Sequence, residues 1–385
     1  MFEVYVGDED IQEVQRHAVG VSRPGVSAIG KRLLLLLSCS PALLPSLFGL
    51  IHFHSKTYQT TMRPAVPPPL SPYGTLQGTL FQYSTFPSLV AFESCPPSPD
   101  AGAALTPPSN KVILVGGLSD GLLPVPYTQT LEKAVHKLGW SLVQPVISSS
   151  YLGFGHGNLD RDTGEVSALM RYLCAHRSGE TFAIVGHSTG CQNAVHFLKH
   201  GDKDMVARTK SVALQAPVSD REHAMLEDNY ENNISTARKM MEEKRGEEMM
   251  PRSAFWAPIT AARFLSLQDF GGSDDFFSSD LTDRQLSDRL GHVGRWGADH
   301  DGFLLAAFSG ADEYVPDHVE KDALLERLCN AMNEEVGLRS NVEERSVATP
   351  LIIPKANHNL SKEEGDGACF VNAVAEQLKI AVPSL

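Results

Sequence analysis

The sequence lacks the patterns by which cysteines and histidines usually bind metal ions. Its six cysteines include no CxxC pair, and its 14 histidines include no HExxH motif. The cysteines are also too few and too scattered for the dense disulfide framework of a small secreted domain. We therefore expect reduced thiols in a cytoplasmic protein and no resident metal ion.

Positive charge is also scarce. Lysine and arginine number 33 against 46 aspartates and glutamates, which gives a formal net charge of −13 at pH 7. This balance repels phosphate backbones and no basic stripe offsets it, so we expect no nucleic-acid partner. The hydrophobic share of 42% and the charged share of 21% are ordinary for a globular chain. They exclude a chain that is disordered throughout and a polytopic membrane protein.

One long apolar run lies near the start of the chain, over residues 33–53. A run of this length could cross a bilayer core of about 30 Å as a helix, but Pro41 and Pro45 interrupt it. A cleaved signal is not indicated, because an acid-rich stretch precedes the run. We interpret residues 1–61 as a poorly ordered extension ahead of a working start at Met62, with a membrane anchor as the alternative.

Strands and helices alternate regularly from Lys111 onward. Continuous apolar runs such as KVILVGG and TFAIVG are typical of parallel strands that are buried on both faces. The alternation predicts an α/β core of residues 73–218 and 301–385, with a mostly parallel sheet and helices on both faces.

Residues 219–300 interrupt the alternation. An insertion at this point would lie over the carboxyl ends of the strands, so we interpret it as a helical lid; the alternative is a stabilising appendage with no role at the site.

The segment Gly186-His187-Ser188-Thr189-Gly190 is a G-x-S-x-G motif between an apolar strand and a helix. A sharp turn in this context projects the serine hydroxyl from the sheet, which predicts Ser188 as a nucleophile. Side chains at positions 186 and 190 would collide with neighbouring backbone, which explains the two glycines. The Thr189 N–H lies at a helix N-terminus and is a candidate oxyanion donor.

A serine hydroxyl needs a base, and the base needs a group that orients it. In folds with a strand-to-helix turn of this kind, the acid and then the histidine come later in the chain, each just after a strand. Asp312 follows FLLAAFSGA and His358 follows TPLIIPKAN, so we predict a triad of Ser188, Asp312 and His358. Glu313 is the competing acid. The competing bases, which both lie inside the insertion, are His292 and His300.

A second oxyanion donor is expected in the loop after the first central strand, VGGLSDG. Gly116 and Gly117 allow a close approach of the backbone, and the Leu118 N–H is the predicted donor; a glycine-rich turn without a catalytic role is the alternative. These residues predict attack by Ser188, proton transfer through His358, an acyl-enzyme and its hydrolysis by water.

Four strings together resemble a fungal α/β-hydrolase family with plant and yeast relatives: GHSTGCQNAVHFL, ITAARFLSLQDFGGSDDFFSSDL, SGADEYVP and NHNLS. The resemblance extends from about Tyr73 to the C-terminus. It implies an α/β-hydrolase fold and an intracellular serine esterase that opens fusarinine-type siderophores, with fusarinine C or its triacetyl form as the substrate. It implies no metal or organic cofactor, because any iron belongs to the substrate.

Two other functions stay open at this stage, a general carboxylesterase or lipase and a non-catalytic binding protein on the same scaffold. For the siderophore esterase and for the general esterase, the expected partner is a small-molecule ester. The sequence does not fix the oligomeric state. We also hypothesise that an acidic lid attracts the free amines of fusarinine C. A solvated acidic loop is the alternative interpretation of the same four residues, Asp274, Asp275, Asp280 and Asp283.

Overall fold

The computed structural model describes residues 73–97, 107–334, 346–363 and 365–382. The predicted extension 1–61 and its apolar stretch therefore lie outside the described residues. Within the described ranges, no helix is both long enough and apolar enough to cross a membrane.

Eight strands of the described residues form one sheet, in the spatial order β1-β2-β4-β3-β5-β6-β7-β8. The first two are antiparallel to each other, β2 is antiparallel to β4, and the remaining neighbours are parallel. This arrangement confirms the predicted mostly parallel sheet. The strands are β1 (Thr79–Thr85), β2 (Ser88–Ser94), β3 (Asn110–Val115), β4 (Ser141–Pro145), β5 (Thr181–His187), β6 (Thr209–Gln215), β7 (Phe303–Ser309) and β8 (Ala348–Ile353).

Helices cover both faces of the sheet. Side chains alternate between the faces of a strand, so Ile113 and Val115 of β3 belong to one apolar cluster while Val112 and Leu114 belong to the other. The helices are α1 (Thr128–Lys137), α2 (Leu159–His176), α3 (Thr189–His200), α4 (Lys203–Arg208), α5 (Asp220–Ala224), α6 (Tyr230–Glu242), α7 (Ala261–Gln268), α8 (Asp283–Leu290), α9 (His292–His300), α10 (Lys321–Asn333) and α11 (Asp366–Ala381), with a 3₁₀ turn at Tyr151–His156.

The segment between β6 and β7 packs in two different ways. Its first half, with α5 to α7, has an apolar cluster of its own that includes Ile234, Met240 and Phe264. Its second half, with α8 and α9, contributes Phe277 and Trp296 to the main core on one face of the sheet. The second half is therefore part of the main core, whereas the first half packs around a separate cluster, although the two are contiguous along the chain.

Of the four aspartates of this segment, two are buried and two are exposed. Asp274 and Asp275 are each 3% exposed. The Arg263 guanidinium donates to Asp274 at 2.6 Å, and that of Arg221 donates to Asp275 at 3.1 Å. Asp280 also pairs with the Arg221 guanidinium, at 2.9 Å from Nη1, and Asp283 pairs with an arginine of α10. Arg263 and Arg221 offset the charges of the buried Asp274 and Asp275, which leaves these two little reach toward a substrate amine. The side chains of Asp280 and Asp283 are 45% and 85% exposed, so for them the interpretation as a solvated acidic loop holds. The attraction of substrate amines by these residues stays a prediction.

Candidate active site

Ser188 occupies the turn between β5 and α3 in a conformation that few non-glycine residues adopt. Its φ is 53° and its ψ is −123°. Such a positive φ costs energy and persists only where the surroundings hold it. Here the Ser188 N–H donates to the Gln215 carbonyl oxygen at 3.0 Å, which fixes the turn against the end of β6.

The two glycines of the motif allow close packing of backbone around this turn. A Cβ at Gly186 would lie 2.4 Å from the Gly190 carbonyl oxygen. A Cβ at Gly190 would lie 2.3 Å from the Val115 carbonyl oxygen, at the end of β3. Both distances are far below van der Waals contact, which confirms the predicted reason for glycine at the two positions.

The structure brings Asp312 and His358 together from the turns after β7 and β8. The His358 Nδ1 lies 2.9 Å and 3.0 Å from the two Asp312 carboxylate oxygens. Asp312 is buried, and it accepts a further hydrogen bond from the Tyr314 N–H at 3.0 Å. An acceptor at Nδ1 keeps the proton of a neutral imidazole on that nitrogen, so Nε2 is left as the basic atom.

The competing acid and bases occupy other places. The Glu313 carboxylate accepts from the His358 backbone N–H at 2.9 Å, so it holds the loop and not the ring. His292 packs on α3, with its Nε2 2.8 Å from the Val195 carbonyl oxygen. His300 ends α9. Neither of these two histidines is among the residues that line the cavity described next.

Ser188 and His358 line one cavity of about 760 Å³. Within the described residues, the Ser188 hydroxyl makes no hydrogen bond, so the structure does not join it directly to the imidazole. Hydrogen bonds between a nucleophile and its base are commonly long or poorly aligned before substrate binds. A serine hydroxyl in one cavity with an imidazole that a carboxylate orients can perform nucleophilic acyl transfer.

The loop after β3 passes close to Ser188. A Cβ at Gly117 would lie 2.8 Å from the Ser188 Cβ and 3.3 Å from its Oγ. Asp120 closes this loop, because its Oδ2 accepts from the Gly117 N–H at 2.7 Å. No described residue accepts a hydrogen bond from the Leu118 N–H, and the Thr189 N–H has no intrahelical acceptor at the start of α3. Leu118 lines the cavity with Ser188, whereas Thr189 lines a smaller neighbouring cavity that Leu118 also lines. Both N–H groups remain candidate oxyanion donors.

Sequence reasoning missed a polar group behind the histidine. Gln215, the last residue of β6, donates through Nε2 to the His358 carbonyl oxygen at 2.9 Å. Its Oε1 accepts from His187 Nδ1 at 2.6 Å and from the Tyr127 hydroxyl at 3.3 Å. Burial, and to a smaller extent the charge of the neighbouring His358, lowers the pKa of His187 to about 3. His187 is thus a neutral imidazole, and its ring centre is 5.0 Å from that of His358. A polar residue at the end of the apolar strand SVALQ is the one signal that could have indicated Gln215.

The walls of the cavity come from the core and from the first half of the insertion. The insertion supplies two types of side chain that sequence reasoning did not assign, aromatic rings and carboxylates. Tyr314, from the loop after β7, lies edge-on to the His358 ring with the centroids 4.6 Å apart. The aromatic residues from the insertion are Tyr230, Phe255 and Trp256. The carboxylates that line the cavity are Asp120, Asp220, Glu227 and Glu313.

Comparison with known proteins gives the same architecture. The structure of the siderophore hydrolase EstB from Aspergillus fumigatus superposes with a TM-score of 0.64 at 30% identity, covering 81% of this chain and 99% of that one. Fusarinine C esterase sidJ from Aspergillus fumigatus is 32% identical over 341 residues, 76% of this chain and 92% of the relative. Esterase AN6793 from Emericella nidulans is 32% identical over 320 residues, 67% of this chain and 81% of the relative.

The sheet order and these similarities define the chain as an enzyme of the α/β-hydrolase class, and they confirm the predicted fold and the resemblance to the fungal family. More particularly, a family model described as "Protein of unknown function (DUF1749)" matches residues 68–379. The chain belongs to that family.

Proposed function

We propose that the chain is a serine esterase that hydrolyses ester bonds of a fusarinine-type siderophore. The observation that carries the proposal is the Asp312–His358 pair, which shares one cavity with a serine held at positive φ. The substrate class is supported by the relatives, which are named as a fusarinine C esterase and a siderophore hydrolase. We also propose that the enzyme works in the cytoplasm, as the cysteine usage indicates.

In the proposed reaction, Ser188 Oγ attacks the ester carbonyl carbon while His358 Nε2 takes its proton. The negative oxygen of the tetrahedral intermediate accepts hydrogen bonds from the Leu118 and Thr189 N–H groups. His358 then gives the proton to the leaving alkoxide, and an acyl group stays on Ser188. Water attacks this acyl-enzyme, with His358 again as base, and releases the acid and the free serine. Asp312 stabilises the imidazolium at both stages.

We further propose that the lid function predicted for residues 219–300 belongs to its first half. Every cavity-lining residue of the insertion lies between Ser219 and Gln268. The second half packs into the main core, which ties it to the sheet. A cover over the site excludes water from the reacting ester and selects substrates by shape.

A substrate panel tests the proposed function. We expect the purified enzyme to hydrolyse fusarinine C or triacetylfusarinine C with a kcat/KM above that for p-nitrophenyl acyl esters, because a cavity of about 760 Å³ offers a large ester more contacts than a small one. The Ser188→Ala variant should lose about 10⁴-fold or more in kcat on every substrate of the panel. A preference for simple acyl esters would favour a general carboxylesterase, and no turnover of any ester would favour a binding protein.

A further inference from the structure

Asp220 and the exposed Glu227 are the carboxylates of the cavity that no charged group or backbone N–H of another described residue holds, and Asp220 is the one attached to the helix that follows Ser188. It is the first residue of α5, just beyond the end of β6, and it lies in the cavity with Ser188 and His358. Its Oδ2 accepts from the Gln192 side-chain amide at 3.0 Å. Gln192 lies one helical turn after Ser188 on α3. Asp220 is therefore attached to the helix that carries the serine, but by a neutral donor.

Two other carboxylates of the cavity accept hydrogen bonds from backbone N–H groups, and Asp312 beside it orients the imidazole. Asp120 closes the loop through the Gly117 N–H, and Glu313 holds the His358 N–H. Asp312 receives His358 Nδ1 on both oxygens, so the imidazole does not need a second orienting acid. These hydrogen bonds already fix the loop and hold the histidine. Asp220 is therefore not needed for either purpose.

No described lysine or arginine forms an ion pair with Asp220. Among the described residues that line the cavity there is no lysine and no arginine. Arg263 and His358 act on Asp220 through their charges, and Arg263 is already bound to Asp274 at 2.6 Å. Burial, together with the charge of Asp274, raises the pKa of Asp220 to about 7. The half-buried Asp220 carboxylate accepts from a neutral amide and has no ion-pair partner, so it attracts a positive ligand in the cavity.

Aromatic rings stand in the same cavity. Tyr230, Phe255 and Trp256 line it from the insertion, and Tyr314 lines it beside His358. Trp256 remains 57% exposed, so its ring is accessible to a ligand. A carboxylate combined with aromatic faces is a chemistry that recognises an ammonium group, because both attract positive charge and the rings also bind its alkyl chain. The same carboxylates repel esters that carry negative charge.

We propose that Asp220 is a specificity-determining residue that binds a primary ammonium group of the ester substrate. This inference rests on the proposed esterase function and adds the charge of the substrate to it. An ester with a free amine is held by its ammonium on Asp220 while its carbonyl lies at Ser188. An N-acylated ester of the same length has no positive charge for Asp220 and binds only through its alkyl chain.

A matched pair of esters tests the proposal, p-nitrophenyl ε-aminocaproate and its N-acetyl derivative. For the wild type, we expect kcat/KM to be higher for the free amine by about tenfold, the scale of one hydrogen bond between charged groups. In Asp220→Asn this ratio should fall to about one, through the KM of the amine ester. The control is Asp317→Asn, which removes an exposed aspartate outside the cavity and should keep the wild-type ratio. An equal ratio in wild type and Asp220→Asn overturns the proposal.

A second measurement needs neither a variant nor turnover. Calorimetric titration of the wild type with hexylammonium and with hexanol should give tighter binding of the cation, by about tenfold; equal affinities overturn the proposal. The proposed esterase function is tested by a different result. If it is wrong, Ser188→Ala hydrolyses both p-nitrophenyl esters as fast as the wild type. Hydrolysis that depends on Ser188 but has no preference for the amine leaves the esterase intact and removes only the role of Asp220.

Discussion

Gln215 connects His187, Tyr127 and the backbone of His358 through one side-chain amide. Gln215 lies at the carboxyl end of β6 and reaches the loop after β8. The strand between them, β7, ends in the small residue Ser309, whose hydroxyl is 3.4 Å from the same amide. We regard Gln215 as a positioning residue, since it acts on the substrate only through the loop that carries the proposed base.

Replacing Gln215 by leucine should lower kcat by about 10-fold to 100-fold with little change in KM, since a buried carbonyl and a buried imidazole each lose a partner worth roughly 1–3 kcal/mol. The matched control is Gln377→Leu, which removes an amide that donates to the Val212 carbonyl oxygen of the same strand from α11. Steady-state kinetics of both variants, with thermal melting to compare their stabilities, separates positioning from stability. A kcat loss no larger than that of Gln377→Leu would contradict the positioning role.

At the residue scale, the sequence allowed the three proposed catalytic positions to be predicted because their signals are local. Ser188 stands in a five-residue motif, and Asp312 and His358 each follow an apolar run directly. The partners of these residues are not local. Gln215 and His358 are 143 positions apart, and Arg221 and Asp275 are 54 apart, so spacing along the chain carried no information on either contact.

Among the elements, the first half of the insertion supplies three of the aromatic side chains that line the cavity. Trp256 lies on the cavity wall and packs against Phe154 of the 3₁₀ turn, with ring centroids 5.3 Å apart. The large exposed part of this side chain is apolar surface that a bulky ester can cover. We therefore expect the proposed lid to bind substrate through its rings in addition to covering the site.

The Trp256→Ala variant should raise KM for a siderophore ester by about tenfold while it changes KM for p-nitrophenyl acetate little, because burial of an aromatic side chain by a large ligand is worth roughly 1.5–3 kcal/mol. Leu226→Ala serves as the control, since Leu226 is a similarly exposed apolar residue of the same insertion that does not line the cavity. Equal changes of KM for the large and the small ester would show that Trp256 does not contact substrate.

The strands were predictable as elements, whereas the packing of the insertion was not. Buried parallel strands appear as continuous apolar runs, and KVILV and TFAIVG coincide with β3 and β5. The insertion consists of short helices whose apolar residues serve two different clusters. Helical periodicity identifies an apolar face but not the surface it packs on, so the division near residue 270 required the structure.

At the scale of the whole molecule, His292 couples the insertion to the core through its contact with α3. Burial lowers the pKa of His292 to about 4, and the hydrogen bond to the Val195 carbonyl oxygen only partly offsets this. Its pKa in an unfolded chain is about 6.5. Between these two values the unfolded state binds more protons than the folded state, so the stability contributed by neutral His292 is lost as the pH falls.

Replacing His292 by glutamine should therefore reduce the acid sensitivity of folding. Below about pH 6.5, one such histidine lowers the free energy of unfolding by up to about 1.4 kcal/mol per pH unit. Urea unfolding at several pH values between about 6.5 and 4 measures the slope for wild type and variant. Parallel slopes would contradict the assignment. Other shifted groups titrate in this range in both proteins, so they cancel in the difference: His187, His196, Asp162 and Asp220.

The overall architecture was predictable because the order of apolar runs and helices limits the topology strongly. The order of Ser188, Asp312 and His358 along the chain agrees with the positions of β5, β7 and β8 in the sheet. What could not be predicted is how the insertion folds back on the strand ends, since that depends on ion pairs such as Arg263 with Asp274 that form only in the folded chain.

The central claim is that His358 makes the Ser188 hydroxyl reactive, and one measurement tests it most directly. A fluorophosphonate probe is reacted with wild type and with His358→Ala, and the labelled residue is located by peptide mass spectrometry. We predict labelling at Ser188 in the wild type, with a rate that falls by about 10³-fold or more in His358→Ala. Labelling at another residue, or at Ser188 with the same rate in both proteins, would contradict the account.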